Sequence, residues 1–299
     1  MNVDCKWCIY WRVKLNLFNR IAVAEIGNPN TMGLMISGLR MVFTIKKTIT
    51  SEANTCNLDV YNLNEESRNK IQQLDTVCIL KAGYNDKPVE IFKGYLSEVN
   101  HIFEPPNIIT KLGIDDGSKV LKQSKVSVSY EGGSSLKQAI NDVLKGFQLP
   151  EKIKNSLIEV VDKKFINGFS YVGKSKDLMD KLAKVAGIEW SIQNNEIKIL
   201  KQDKSDKILA TKLAYSTGLI QSPERIKEVG KDDSTTTQNP GTFGWKIKSL
   251  LQPQIEPGNA IIVESKMIPK DSKFKVITVE HSGDTHGNDW ITQLQVIDL

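Results

Sequence analysis

Histidine and cysteine are scarce in this chain, and that bounds its chemistry. Among 299 residues there are three histidines, His101, His281 and His286, and four cysteines, Cys5, Cys8, Cys56 and Cys78. Cys5 and Cys8 form a lone C-x-x-C in CKWC, which opens the chain ahead of a strand and not at a helix start, where a redox pair would sit. As a zinc half-site it lacks a second pair, because Cys56 and Cys78 are single and lie in apolar alternating stretches. The four read as small apolar residues of a reducing compartment. No stretch approaches the roughly 18 consecutive apolar residues of a membrane span. Met1 to Tyr10 carries Asp4 and Lys6 where a secretory signal needs an unbroken apolar run. Excess charge of one sign is also missing. A formal +5 from 40 basic and 35 acidic residues is too thin a basis for nucleic-acid binding. The basic residues are scattered and not interleaved with aromatics. A soluble protein made in a cytoplasm is expected.

What is present is alternation of period two. Trp11, Val13, Leu15 and Leu17 alternate with Arg12, Lys14 and Asn16, and Leu39, Met41, Phe43 and Ile45 share one side of LRMVFTIKKT. IAVAEI, CNLDVYNL, TVCILKAGY, VEIFKGYL and IITKLGIDDG follow the same habit, separated by turn formers such as Gly83-Tyr84-Asn85-Asp86 and Glu104-Pro105-Pro106-Asn107. Six or seven short strands at this spacing predict an antiparallel barrel or sandwich over residues 1–124, with one short helix near Asn64 to Gln73.

The period changes near Tyr130. Leu136, Ile140, Val143, Leu144 and Phe147 recur at helical spacing behind Ser134 or Ser135 as N-cap, predicting a helix over 135–147 that Pro150 closes. Leu178, Met179, Leu182 and Val185 predict a second over 176–186, with Gly187 as its C′ residue. EWSIQNNEIKIL predicts a hairpin over 189–200 turning at Asn194-Asn195, since asparagine tolerates positive φ. Residues 125–205 thus form a small α+β unit. Strands return over 206–299, after a polar loop at about Lys227 to Thr242. In KFKVITVEH, Phe274 and Val276 alternate with Lys273 and Lys275. Ile277 and Val279 then fall on the lysine side, as in a strand wet at its start and buried on both faces further on. The fold class is mainly β with an α+β insertion.

One motif demands a test. GFSYVGKS, Gly168 to Ser175, satisfies the phosphate-loop pattern G-x-x-x-x-G-K-[ST]. Such a loop follows a buried parallel strand, curls its backbone N–H groups around phosphate, and opens a helix. A helix does begin near Ser175. The preceding VVDKKFIN carries three charges, however, and Phe169, Ser170, Tyr171 and Val172 suit a strand better than a nest. The wider chain lacks alternating strands and helices. Glu264 as a magnesium-site acid sits in what reads as a hairpin arm. Gly168 to Val172 is therefore read as a strand, Gly173 as its bend, Ser175 as an N-cap and Lys174 as a solvated charge. The remaining candidates fare no better. His281, Asp284 and His286 in EHSGDTHGNDW read as a solvated hairpin loop of turn formers. Asp115-Asp116-Gly117 starts a calcium loop but runs on into Lys119, Val120 and Leu121, so it reads as a turn. No catalytic, cofactor-binding or metal-ligating residue is assigned.

Several stretches, in order, resemble one family. GLRMVFTIKKT, SEANTCNLDVYNLNEESR, LKAGY and IFKGYL are similar to the opening domain of tail baseplate hub proteins of contractile-tailed bacteriophages, the central hub family of T-even and Mu-type phages. NGFSYVGKSKDLMDKLAKVAGIEWSIQNNEIKIL resembles their inserted α+β domain. STGLIQSPER, WKIKSLLQPQIEPGNAIIVES and KVITVEHSGDTHGNDWITQL resemble their closing domain. The SLLQPQIEPG turn and the HSGDTHGNDW loop are the most specific of these. The resemblance implies two tail-tube-like β-barrel domains flanking a small α+β domain. It implies a homotrimer whose six tube-like domains adapt the hexameric tail tube to a threefold central spike around a channel. It implies no active site and no cofactor. The implied partners are the tube protein, the spike and other baseplate proteins, with DNA only a passenger. The implied location is the virion tail, after synthesis in the bacterial host cytoplasm. Related hubs occur in type VI secretion spikes and phage-tail-like bacteriocins. The alternatives left open are a phosphate-loop nucleotide enzyme using Gly168 to Ser175, and a β-rich ligand-binding module.

Overall fold

A computed structural model of the protein describes residues 17–28, 33–71, 76–147, 149, 163–202, 204–206, 211–227, 229 and 243–299. Trp11 to Asn16 of the first expected strand, Cys5, Cys8, Pro150 and most of the polar loop lie outside them. The opening segment forms β1 (Arg20–Gly27), β2 (Leu34–Ile36), β3 (Met41–Thr48), β4 (Asn54–Tyr61), α1 (Glu65–Ile71), β5 (Val77–Tyr84), β6 (Lys87–Glu104) and β7 (Asn107–Asp116). The middle segment forms α2 (Ser118–Gln123), β8 (Lys125–Tyr130), α3 (Leu136–Gly146), β9 (Phe169–Lys174), α4 (Ser175–Ala186), β10 (Ile188–Gln193) and β11 (Glu196–Lys201). The closing segment forms β12 (Thr211–Leu213), β13 (Glu224–Ile226), β14 (Gly244–Leu250), β15 (Ala260–Val263), β16 (Lys273–Asp284) and β17 (Trp290–Asp298). The fold is mainly β, with helices concentrated in the middle.

The opening and closing segments share one 13-stranded sheet, in the order β13-β14-β17-β16-β3-β4-β7-β6-β5-β1-β2, with β15 and β12 attached beside β16. The join is the antiparallel ladder of β16 on β3, from Thr278 opposite Thr48 to Asp284 opposite Val42. One face of the sheet is apolar. Phe43, Ile45, Leu58, Leu80 and Phe92 pack there with Leu251 and Trp290 from the far end of the chain. Trp290 meets the Phe43 ring edge-on at 5.5 Å. Burying one such phenylalanine stabilises the fold by about 1.5–3 kcal/mol, so the two segments are held by packing as well as by the ladder. A second apolar cluster, including Leu213, Ile247, Phe274, Val279 and Leu294, lies within the closing segment.

Bulges explain where the period slips. Between Val276 and Thr278 the register of β16 on β17 shifts by one residue, leaving Ile277 extra. The slip returns Val279 to the side of Phe274 and Val276, while Ile277 packs with Ile49 and Leu200. The weakened alternation in KFKVITVEH therefore marks a bulge, and the residues around it are buried on both faces. In β6, Ile91 and Ser97 are skipped in the same way, which lets 18 residues bend and stay in the sheet.

The middle segment has its own core. Ser135 caps α3, its Oγ accepting from the Lys137 N–H at 3.2 Å, and α4 ends at Gly187 with φ of 69°. Leu136, Ile140, Val143 and Leu144 of α3 pack against Leu178, Met179 and Leu182 of α4 and Trp190 and Ile192 of β10. Asn194 and Asn195 turn the β10–β11 hairpin at φ of 54° and 64°.

Candidate functional site at a buried polar junction

The phosphate-loop motif does not form a phosphate site. Residues Phe169 to Lys174 are extended and pair antiparallel with β8, Gly173 opposite Val126 and Lys174 opposite Lys125. Gly173 is thus a strand residue, not a bend. Ser175 is not the N-cap either. Lys174 occupies that position in an extended conformation without a side-chain cap, and Ser175 begins the helix proper. Ser175 is buried and its N–H donates to the Ser124 carbonyl at 3.0 Å. An extended strand points successive amides to opposite sides, so they cannot converge on one phosphate, and the Ser175 amide is taken by Ser124. Lys174 itself is exposed. Glu264 pairs with Lys212 at 2.6 Å on the surface, and that pairing lowers its pKa.

The histidine cluster also resolves differently from its sequence reading. His281 and Asp284 belong to β16, so only Thr285 to Asp289 form the loop. His281 is fully buried, Nδ1 lying 2.8 Å from Thr292 Oγ1. Burial first, and the Lys47 charge second, push its pKa down to about 3, so it is neutral in the fold. Asp284 receives Arg40 Nη2 at 2.8 Å, which holds its pKa below the usual carboxylate range. Arg20 donates to the Gly287 carbonyl at 2.6 Å. The HSGDTHGNDW stretch is therefore a strand end and a loop clamped by two arginines of the opening segment. His101 sits on β6 with Nδ1 3.1 Å from Thr110 Oγ1. Among the described residues no group of three or more His, Cys, Asp or Glu could hold a metal ion. Cys56 and Cys78 lie in the apolar core, where burial raises both thiols, Cys78 to about 12.

Asp115 and Asp116 are not a turn. They end β7, and the chain leaves the sheet at Gly117, which has φ of 78°. Asp116 is buried and becomes the socket of a junction. Its Oδ2 accepts the Asn194 N–H at 2.5 Å and its Oδ1 the Asn195 N–H at 2.8 Å, so one carboxylate satisfies both turn amides of the middle hairpin. Burial raises its pKa, against the pull of those amides and of Lys47. Asn54 Nδ2 donates to the Ile192 carbonyl at 2.8 Å, and Gln193 Nε2 to the Thr48 carbonyl at 2.7 Å. Lys47, 3% exposed, donates to Asn194 Oδ1 at 3.1 Å and lies 4.0 Å from Glu256 of the closing segment. Burial lowers the pKa of Lys47 while Glu256 and Asp116 oppose the shift. At the other end of the hairpin, Lys275 Nζ reaches Glu189 Oε2 at 2.6 Å and the carbonyls of Gln202 at 2.8 Å and Lys201 at 3.3 Å. All three segments meet here through directional bonds, which fix position in a way that apolar contact alone does not.

Sequence reasoning missed these residues, although half of them left a signal. Lys47 falls in phase with Phe43 and Ile45, Asn54 with Cys56 and Leu58, and Asp116 with Leu112 and Ile114. A polar residue in the buried phase of a strand is the mark of a specific partner. Glu189 and Gln193 carry no such mark, because their partners come from segments far away in the chain, and Lys275 shares a phase with Ile277 and Val279 only by counting across the bulge.

No family model matches the chain, and no curated protein matches it in sequence. Solved structures do match. The 43 kDa tail protein of prophage MuSo2 from Shewanella oneidensis superposes with a TM-score of 0.63 at 11% identity, over 93% of this chain and 98% of that one. A tail protein from Neisseria meningitidis gives 0.62 at 9% identity, over 92% and 96%. The chain has the fold of a phage tail protein. The same tail-protein fold recurs in an E. coli component of the type VI secretion system, itself described as similar to bacteriophage tail proteins. There the TM-score is 0.58 at 10% identity, over 87% of this chain and 73% of that one. At such identities the likeness concerns the tail-protein fold alone, and it extends over nearly the whole chain.

Proposed function

We propose that the protein is the central hub of a tail baseplate: a homotrimer that adapts a hexameric tail tube to a threefold spike around a central channel. The observation that carries this reading is the end-to-end superposition on phage tail proteins, with little of either chain left over. In this reading the chain divides into tube-like barrels at 1–124 and 206–299 around an inserted α+β domain at 125–205. The sheet shared by the opening and closing segments supports it, because two tube-like units joined edge to edge supply a third of a six-unit ring. The role is architectural and not enzymatic. The partners are the tube protein, the spike and other baseplate proteins, with DNA only passing through. The location is the virion tail, after synthesis in the host cytoplasm. Among the described residues no helix is long and apolar enough to cross a membrane.

Native mass spectrometry of the purified chain, alone and mixed with candidate tube and spike proteins, tests the reading. The expected mass is three times 33.5 kDa. A chain that stays monomeric under both conditions would overturn it. A melting temperature raised by Mg²⁺-ATP would instead favour a nucleotide enzyme.

A further inference from the structure

We infer that the middle segment is a separately opening body, latched onto the sheet by the polar junction and able to swing away while the sheet and its own core stay folded. This goes beyond the hub reading and does not depend on it. The opening and closing segments cannot part without breaking the β3–β16 ladder and the packing of Trp290 on Phe43. The middle segment is attached differently. Its apolar cluster is drawn almost wholly from its own residues, between Leu121 and Ile199. The apolar seam linking it to the sheet centres on Leu200 with Ile49 and Ile277. Apart from Ala53 against the middle core, the rest of the attachment is mainly polar: Asp116 to the hairpin turn, Asn54 and Gln193 to backbone, Lys275 to Glu189, and Lys198 to the Pro257 carbonyl and Asp206. On opening, water re-solvates these groups and little apolar surface is bared. Such an opening costs less than unfolding either core.

The connections suit a hinge. The chain leaves the sheet at Asp116–Gly117, where Gly117 has a left-handed backbone and stands against Ile192 so closely that a Cβ would lie 2.8 Å from that side chain. It returns past Lys201 and Gln202, whose carbonyls Lys275 holds, to Asp206, whose N–H donates to the Gly258 carbonyl at 2.7 Å. Both crossings lie at the latch itself. Releasing the latch therefore frees the hinge.

Native-state hydrogen exchange on the full chain across a series of low denaturant concentrations tests the proposal. The amides of Asn194, Asn195 and Asp206 report the junction. Those of the β3–β16 ladder report the sheet, and those of α3 and α4 report the middle core. The junction amides are expected to exchange together, at least about tenfold faster than either core, with one shared denaturant dependence shallower than that of either core. Asp116→Ala should accelerate the junction set and leave both cores within about twofold. The proposal is overturned if all three sets exchange at one rate. It is equally overturned if Asn194 and Asn195 exchange independently of Asp206, which is a fraying turn. The wild-type measurement decides the matter even if the variant fails to fold.

Discussion

Lys275 offers the sharpest test of how the junction is built. Its side chain is 0% exposed and its ammonium meets one carboxylate, Glu189, whose side chain is 26% exposed, together with two backbone carbonyls. Glu189→Gln keeps the shape and one acceptor but leaves a buried cation without a counter-charge. Breaking a buried pair this way costs about 3–5 kcal/mol, and the partial exposure of Glu189 places the expected loss near the lower end, about 3 kcal/mol. Lys275→Met removes the cation and keeps most of the volume. Glu189 can then turn to water, and what is lost is one donor to each of two carbonyls, about 1–2 kcal/mol in all. The double variant should cost little more than Lys275→Met alone, giving a coupling of nearly the whole Glu189→Gln loss, about 2.5–3 kcal/mol. Urea denaturation of the four proteins, followed by far-UV circular dichroism, measures all three quantities. A Glu189→Gln protein as stable as wild type, or additive losses, would refute the reasoning, since either means the ammonium finds solvent without its partner.

Three further outcomes follow from other sites. His281 has a folded pKa near 3 against an ordinary 6.5, so the unfolded chain takes up a proton that the folded one refuses between those values. Stability is then fully present above pH 6.5 and falls as pH drops towards 3, by on the order of 4 kcal/mol from this group, and thermal melts of His281→Gln should show a flatter acid limb. Gly283→Ala would set a methyl 2.6 Å from Cε1 of Phe43 and 2.9 Å from Cε3 of Trp290, two rings with no room to yield, and should destabilise by about 1–3 kcal/mol in chemical denaturation. Lys174→Ala should cost well under about 1 kcal/mol, and Mg²⁺-ATP should leave the melting temperature of both wild type and variant unchanged. A clear nucleotide effect lost in the variant would revive the phosphate-loop reading.

The mainly β class, the α3 and α4 helices and the Asn194-Asn195 turn are legible in the residues because each depends on neighbours close in sequence. A strand shows its two faces within five residues. A helix shows its stripe within two turns, and a tight turn needs only residues that accept positive φ. The phosphate-loop letters could be set aside on the same local grounds, from the charged VVDKKFIN before them and the strand-forming residues inside them. Local reading erred where a turn former had been recruited into a strand. Asp115, Asp116 and Asp284 look like loop residues by type, yet each ends a β-strand because its side chain or backbone has a distant partner.

Local periodicity therefore settles what each segment is, while the company each segment keeps is settled only by the closed fold. Nothing within KFKVITVEH says that Lys275 will be sealed under Glu189 of a hairpin 86 residues earlier, or that the strand will pair with Met41–Thr48 near the other end of the chain. Those contacts exist because burial is a property of the whole packed chain. A lysine is wet or dry according to what covers it, and the cover here comes from sequence positions that no short-range pattern connects.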